Sequence, residues 1–319
     1  MIVFSYSLGV FCFDEHLSLK EKLEFNKNES IRYAEELNQG MDIHPEKKLR
    51  QKYPDSRKPT EKEMENILSI LATPECIKKL REINLIITEH RLRESVNPDQ
   101  FIINTINNIE ELNKVCNTLA KRVREWYSLY LPELSEQVGD NEAFVRLACS
   151  KSKEELKKEL RVQESIGAHI SKEDIEPILE LGKKILELYK ERDALEQYLG
   201  KTMEGYCRNV NTVAGSLIGA KLLRGLGSLK RMAITPSTTI QLLGAEKALF
   251  RHLRDKSIRP PKHGHIINHP IVQTAPPADR GKAARALADK ISIAARIDYF
   301  KGEFIGDTLL TELEKKFKK

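Results

Sequence analysis

The chain has 319 residues, of which 40% are hydrophobic, 31% charged and only 6% aromatic, a balance that suits a helical, well-solvated, extended protein of two or three domains. No apolar run approaches the roughly 20 residues that a membrane-spanning helix needs, and the opening MIVFSYSLGVFCF lacks the basic leader of a signal peptide. The net charge is +6, but it is unevenly placed: from Ser216 onward 20 Lys and Arg stand against 9 Asp and Glu, while the preceding 215 residues carry 33 against 38. The basic C-terminal end is the candidate polyanion binder, against the plainer reading of a solvated cationic surface.

Five cysteines, at positions 12, 76, 116, 149 and 207, form no CxxC pair, which points to a reduced, intracellular protein. Met1 to Phe13 alternates β-branched and aromatic residues around Ser7-Leu8-Gly9 and reads as two short strands meeting at a turn. The segment 19–37 reads as one or two short helices, and Gly40 to Pro59, with prolines at 45, 54 and 59, as an exposed connection. Amphipathic spacing then predicts helices over Glu61–Leu71 and Pro74–Ile83, closing an N-terminal α/β domain over 1–90.

Asn97-Pro98-Asp99 marks a helix start. From Phe101 to Leu131, Ile102, Ile106, Ile109, Cys116, Ala120, Val123, Tyr127 and Tyr130 recur at the three-four spacing of a coiled-coil seam, with Asn113 its polar member. Ile103, Leu112, Val115, Leu119 and Trp126 widen the stripe, so the helix is expected to have neighbours on two sides. A turn and short helical pieces such as Glu154–Gln163 lead to a second long helix over Lys172–Val213, with Ile178, Gly182, Ile185, Leu188, Leu195, Leu199, Tyr206 and Val213 inward and Pro177 in its first turns. Each long helix reaches roughly 45 Å or more. The pair predicts an antiparallel coiled-coil hairpin over 91–215, and a second copy would cover its open side in a four-helix dimer. Ile106, Ile109, Val123, Ile185 and Leu195 are the seam residues assigned to that partner contact; the competing reading is a monomeric arm packed on its own domains.

Small residues in NVNTVAGSLIGAKLLRGLG suggest tight packing at the start of a last, all-helical domain, 216–319. The fold class is thus mainly α with a small α/β domain in front. In the last domain the sequence predicts a helix near Leu229, one over Thr235–Leu253 with Pro236 at its first position, a loop through Arg259-Pro260-Pro261-Lys262, a helix over Asp279–Tyr299 and a short one over Gly306–Lys319. Ile266-Ile267 and Ile271-Val272 could be short extended pieces. In the Thr235–Leu253 helix Leu242, Leu249 and Leu253 supply an apolar stripe expected to face the core, and the other face is cationic. Gly244 inside this pattern costs roughly 1 kcal/mol against alanine, so it implies close approach of another chain segment, within the fold or in a partner.

Catalytic motifs are not found. GLGSLK at 225–230 lacks the third glycine, the preceding strand and the later acidic residue of a dinucleotide loop. His263, His265 and His269 could in principle hold zinc, but no Cys or carboxylate lies beside them and the segment is a proline-bracketed loop. They read rather as polar loop residues; no metal and no cofactor are expected.

GAEKALFRHL, KHGHIINHPIVQ and ADRGKAARALADKISIAARID, in order between about Ser216 and Phe300, together resemble the Nop domain of archaeal and eukaryotic box C/D ribonucleoprotein scaffolds and of a spliceosomal relative. The resemblance implies a non-catalytic RNA-binding scaffold. Its partners would be a box C/D guide RNA with a kink-turn, the ribosomal-protein-like kink-turn-binding protein, the methyltransferase fibrillarin docked on the N-terminal domain, and a second copy of the chain paired through the coiled coil. It also implies 2′-O-methylation of guide-paired RNA as the work of the assembly, in the cytoplasm for an archaeal-type chain and in the nucleolus for a eukaryotic one. Gln241, Gly244, Ala245, Glu246 and Lys247 match the family's GAEK element. From it follow close approach for Gly244 and Ala245, phosphate contact for Lys247 and Arg251, and partner contact for Glu246. Arg259, Lys262 and His263 in the loop and Arg280, Lys282 and Arg285 at the start of the next helix complete the expected RNA surface. KHGHIINH departs from the more usual tyrosine- and serine-bearing version. Two other readings remain open: a splicing-type clamp without a methyltransferase, and a metal- or nucleotide-dependent nucleic-acid enzyme.

Overall fold

The computed structural model describes residues 1–38 and 41–317. Gly40, at the start of the expected connection, and Lys318 and Lys319, at the end of the last expected helix, lie outside the described residues. The chain folds as two compact units, Met1–Asn97 and Pro98–Lys319.

In the first unit, β1 (Ile2–Tyr6) and β2 (Gly9–Phe13) form the hairpin read from the sequence, and β3 (Leu19–Glu24) adds a third antiparallel strand, in the order β1-β2-β3. That strand corrects the reading of short helices from residue 19. Its register pairs Val10 with Leu23 and Cys12 with Glu21, and as an edge strand it shows mostly charged side chains, which hides the apolar alternation that marks a strand. Only the remainder is helical, as α1 (Lys27–Asn38). A second correction is α2 (His44–Lys52), which replaces part of the exposed connection because Ile43 and Leu49 bury themselves against the sheet. After α3 (Glu61–Leu71), started by a Thr60–Glu63 capping box, α4 runs from Pro74 past Ile83 to Ser95. One face of the hairpin, with Ile2, Phe4, Phe11 and Phe13, packs on Ile67; the other, with Val3, Val10 and Cys12, packs on Tyr33, Ile43 and Leu49. Burial on both faces is why β2, GVFCF, carries apolar residues at consecutive positions.

The second unit opens with α5 (Pro98–Tyr127), followed by α6 (Pro132–Gln137), α7 (Asn141–Ser150), α8 (Lys153–Glu159) and the long α9 (Lys172–Tyr206). At 1.5 Å per residue, α5 and α9 reach roughly 45 and 50 Å, and they pack along each other as the expected hairpin. On α5 the buried seam is the one the spacing marks, from Ile102 through Tyr127; on α9 Ile178, Gly182, Ile185 and Leu199 are buried as expected, Leu188 and Leu195 only partly, and Ile175, Tyr189 and Met203 are buried besides. Phe144, Val145 and Ala148 of α7 close one flank of that seam. Asn113 finds Arg192 Nη1 at 3.4 Å, and Arg192 pairs with Glu142 of α7 at 2.9 Å.

The second long helix does not run on to Val213 but breaks at Cys207 and restarts as α10 (Arg208–Ala214). The Asp298 carboxylate accepts the backbone N–H groups of Asn209 and Val210 at 3.1 and 2.8 Å and the Asn209 side-chain amide at 2.7 Å, satisfying donors that a helix start leaves free. Then come α11 (Ser216–Leu226), α12 (Leu229–Ile234), α13 (Ser237–Leu242), α14 (Glu246–Arg254), a 3-10 turn over His265–Asn268, α15 (Pro270–Thr274), α16 (Arg280–Tyr299) and α17 (Gly306–Phe317). Ile266 and the Ile271-Val272 pair are thus helical rather than extended. Fully buried Ala283, Ala284, Ala288, Ala294 and Ala295 make α16 the central helix, since small side chains let α10, α12 and α13 approach it closely.

The root of the hairpin belongs to the same core. Ile102, Ile106 and Ile109 pack with Leu199, Met203, Leu222 and Leu223. The Leu229 N–H donates to Asp99 at 3.1 Å, and Glu110 holds Arg224 and, at 3.3 Å, Lys221. The division expected at 215/216 is therefore not one between compact units; arm and terminal helices share one frame. Among the described residues, no helix is long and apolar enough to cross a membrane.

Candidate nucleic-acid interface

The single helix read over Thr235–Leu253 is three pieces. Thr235 ends α12, Pro236 precedes α13 and the chain turns at Leu243–Ala245 before α14 begins. Gly244 causes the turn: its φ is +92°, in the left-handed region where a side chain is strained. Its close approach lies inside the fold, because a Cβ on Gly244 would fall 2.6 Å from Nε2 of His265. The loop before α15 is laced back onto α13: the Gly264 and His265 N–H groups donate to the Gln241 and Leu243 carbonyls at 2.8 and 2.7 Å. A Cβ on Gly264 would collide with the Leu243 carbonyl oxygen at 1.9 Å, so only glycine fits there.

This geometry redistributes the expected site. Gln241 is buried and its amide donates to the Lys262 carbonyl at 2.6 Å, so it fastens the loop. Glu246 turns one carboxylate oxygen to the Gly244 N–H at 2.7 Å, which together with the nearby His265 holds its carboxyl below the usual range. Gly244 is exposed and Ala245 half-buried at the turn. Lys247, Arg251 and Arg254 occupy one face of α14, at steps of four and three residues, and all are exposed. Exposed Arg259 and Lys262 and half-buried His263 follow in the loop.

The Lys262 side chain passes over Gly281, in the first turn of α16, where a Cβ would touch its Cδ at 3.6 Å. The loop and the α16 start therefore meet. Lys282 pairs with Asp279 at 2.9 Å, which is the only ion pair involving these cations among the described residues. Arg280 turns Nε and Nη2 to the Ala275 and Gln273 carbonyls at 3.3 and 3.4 Å and so helps cap α15, while Arg285 stands exposed.

The apolar side of α14 is the clearest departure from expectation. The sequence pattern assigns Leu249 and Leu253 to the core, yet no residue of α14 is buried, and Phe250 and Leu253 are 64% and 53% exposed. The turn at Gly244 redirects α14 so that its apolar face is left largely uncovered, with Leu249 half-buried and Phe250 and Leu253 exposed. Only the contrast between a strong helical stripe and the preceding glycine signals this in the sequence.

The three imidazoles are not gathered. His265 sits half-buried under Gly244 with its pKa lowered, first by burial and then by Arg224 and Lys221. His269 is buried, accepts the Ile271 N–H on Nδ1 at 3.2 Å and bonds the Val213 backbone. Among the described residues no three His, Cys, Asp or Glu side chains are placed to hold a metal ion.

Of the residues expected to meet a second copy, Ile106, Ile109, Val123 and Ile185 are at most 2% exposed within the chain itself, and Leu195 packs, partly buried, on the core that holds Ile106 and Ile109; the chain's own helices cover this seam. Arg124 and Asn117 of α5 turn to the α7 side, where Arg124 donates to the Val138 carbonyl and Asn117 accepts from Asn141. At 100° per residue, Leu112, Val115, Leu119 and Trp126 lie on the opposite flank. There Val115 is 44% and Trp126 47% exposed; the sequence reading that widened the stripe had already marked these residues.

The model of the Nop family, described as "snoRNA binding domain, fibrillarin", matches residues 108–319. The chain belongs to the Nop family. It is 42% identical over 234 residues to an uncharacterized NOP5 family protein of Methanocaldococcus jannaschii, covering 68% of this chain and 56% of that protein. It is 36% identical over 229 residues to nucleolar protein 58 of Schizosaccharomyces pombe, covering 66% and 45%. The chain thus spans about half the length of the curated relatives it matches. A solved chain from a fibrillarin/Nop5p complex aligns with 99% of it at 22% identity and a TM-score of 0.45, over 98% of its own length. The Nop match takes in both the hairpin and the terminal helices, the same elements that share one core here.

Proposed function

We propose that this Nop-family chain is a non-catalytic scaffold of a box C/D guide ribonucleoprotein. Its terminal helices would hold a kink-turn RNA together with the protein already bound to it, and its first unit would recruit fibrillarin for 2′-O-methylation. The observation that carries the reading is α14: one face bears Lys247, Arg251 and Arg254 without ion-pair partners among the described residues, and on its flank stand exposed Phe250 and Leu253. A cationic stripe suits phosphate, and an uncovered apolar stripe beside it suits a protein surface at the same place. Phosphate alone would explain the first and not the second.

The second copy is proposed to seat on the flank of α5 opposite α7, through Leu112, Val115, Leu119 and Trp126. For fibrillarin, the support is the family's own description, with an apolar groove of about 500 Å³ in the first unit, lined by Leu8, Phe11, Ile70, Cys76 and Ile83, as available surface. The scaffold contributes by positioning: a guide and an enzyme held on one frame meet at high effective concentration. The fungal relatives are named nucleolar proteins, and an archaeal-type chain would work in the cytoplasm.

A gel shift with kink-turn RNA, with and without its kink-turn-binding protein and then with fibrillarin, tests the assignment. Binding that depends on the pre-bound protein, followed by a further shift with fibrillarin, is the expected result. The first shift without the second would leave an RNA clamp that recruits no methyltransferase. No shift in any combination would overturn the proposal.

A further inference from the structure

No residue of α14 is buried, so its direction relative to the body is set where it joins, at Leu243–Glu246. That joint has two anchors. Leu243 packs onto α11 at Gly225, where a Cβ would lie 2.8 Å from a Leu243 methyl carbon. Beneath Gly244 lies the His265 ring, close enough that Nε2, Cδ2 and Cε1 would all be within 2.7 Å of an added Cβ. The His265 N–H donates to the Leu243 carbonyl at 2.7 Å, and the Glu246 carboxylate closes the turn from the other side on the Gly244 N–H at 2.7 Å.

We propose that the His265 imidazole is the seat of this joint, a positioning residue that fixes the direction in which α14 presents Lys247 and Arg251. The inference rests on the RNA reading for its consequence, though not for its geometry. A flat ring fills the space that the left-handed glycine leaves, and a smaller side chain would let the turn, and with it the helix, swing. His265 faces Arg224 and Lys221 of α11, Glu110 of α5 and Glu246 of α14. Burial and the two cations outweigh the two carboxylates and keep the ring neutral near neutral pH. Protonation would place a third positive charge beside Arg224 and Lys221 and unseat the joint, so the presentation of α14 is sensitive to acid.

The test uses the full chain and two readouts. The first, without RNA, is amide hydrogen exchange over 243–254 between pH 7.5 and 5.5, corrected for intrinsic rates and compared with α16. The second is affinity for kink-turn RNA carrying its binding protein. In the wild type, exchange in α14 should rise on acidification while α16 stays protected. His265→Phe keeps a flat ring that cannot titrate, so it should hold α14 equally protected at both pH values and bind RNA within about twofold of wild type at pH 7.5. His265→Ala should expose α14 at both pH values and weaken RNA binding by about tenfold. Gly244→Ala, which drives a methyl into the ring, should do the same, and the double variant should be less than additive because removing the ring makes room.

Exchange that ignores both pH and the loss of the ring overturns the proposal. Additive single variants overturn the Gly244–His265 contact. Exchange that responds as stated in a protein that binds no RNA would uphold the seat and reject the RNA reading instead. Should His265→Ala fail to fold, His265→Phe and the wild-type pH profile still decide the matter.

Discussion

Ile109→Asp distinguishes a seam within the chain from a seam between copies. If Ile109 faced a second copy, as the heptad spacing alone allows, the substitution would split a dimer and leave a folded monomer. In the structure Ile109 is 2% exposed and packs in the core shared by the hairpin root and the terminal helices. Truncating such a side chain costs about 2–5 kcal/mol. A carboxylate there also loses hydration with no partner, so the total should reach about 4 kcal/mol or more, a large share of the roughly 5–15 kcal/mol by which domains are stable. Val115→Asp and Trp126→Asp fall on half-exposed positions, and their cost to the single chain should stay within about 1 kcal/mol. Light scattering after size exclusion, with urea unfolding on the same samples, measures both effects. Ile109→Asp should lower the unfolding midpoint sharply, while Val115→Asp and Trp126→Asp should yield monomers that unfold near the wild-type midpoint of a monomeric reference. A stable, monomeric Ile109→Asp protein would refute the assignment of this seam to the chain's own core.

Asp298→Ala removes the acceptor of three donors at the α10 start and should cost about 2–4 kcal/mol by thermal unfolding, with Asp298→Asn recovering about half. Lys247→Ala and Arg251→Ala should each reduce the salt dependence of RNA binding by about 0.7–0.9 in log–log slope; unchanged slopes for both would remove them from the phosphate contact. Burial lowers the His269 pKa below its ordinary 6.5, so the folded chain binds fewer protons than the unfolded one and stability rises with pH. The contribution is complete above about pH 6.5 and is lost as pH falls toward the folded value; calorimetry of His269→Asn, which can still cap α15, should show a shallower loss in that window.

How far the sequence could be read follows from what each signal depends on. The seam of the hairpin depends only on spacing along one helix, so Ile102 through Tyr127 were assigned correctly as an apolar face. Which chain covers that face depends on residues far away in sequence, such as Phe144 and Met203, and spacing carries no such information. β3 and α2 were missed for a related reason. Each lies at the margin of a small unit, where one or two buried residues such as Ile43 and Leu49 decide the element and charged neighbours dilute its period. The break at Cys207 depends on Asp298, a hydrogen-bond acceptor roughly ninety residues later, and nothing local to Cys207 announces it. In the candidate site the exposed cations were legible, since charge belongs to the residue. Gln241 was not, because its buried amide is given its task by the Lys262 carbonyl.

Gly244 joins these threads. A glycine in a helical pattern admits two readings, a tolerated packing position inside a continuous helix or a place where the helix ends. The continuous reading sends Leu249 and Leu253 into the core. The structure takes the other, because Gly264 leaves room for the loop to cross Leu243 and His265 fills the space beneath the turn. That choice leaves an amphipathic helix with its apolar side in water, which is unfavourable for the chain alone by the hydrophobic area left uncovered. A surface that covered Phe250 and Leu253 would recover that cost. The local rule that the sequence breaks at Gly244 therefore marks the element whose apolar side the fold leaves uncovered, the one on which the proposed partner protein would seat, and it does so before any contact with RNA is considered.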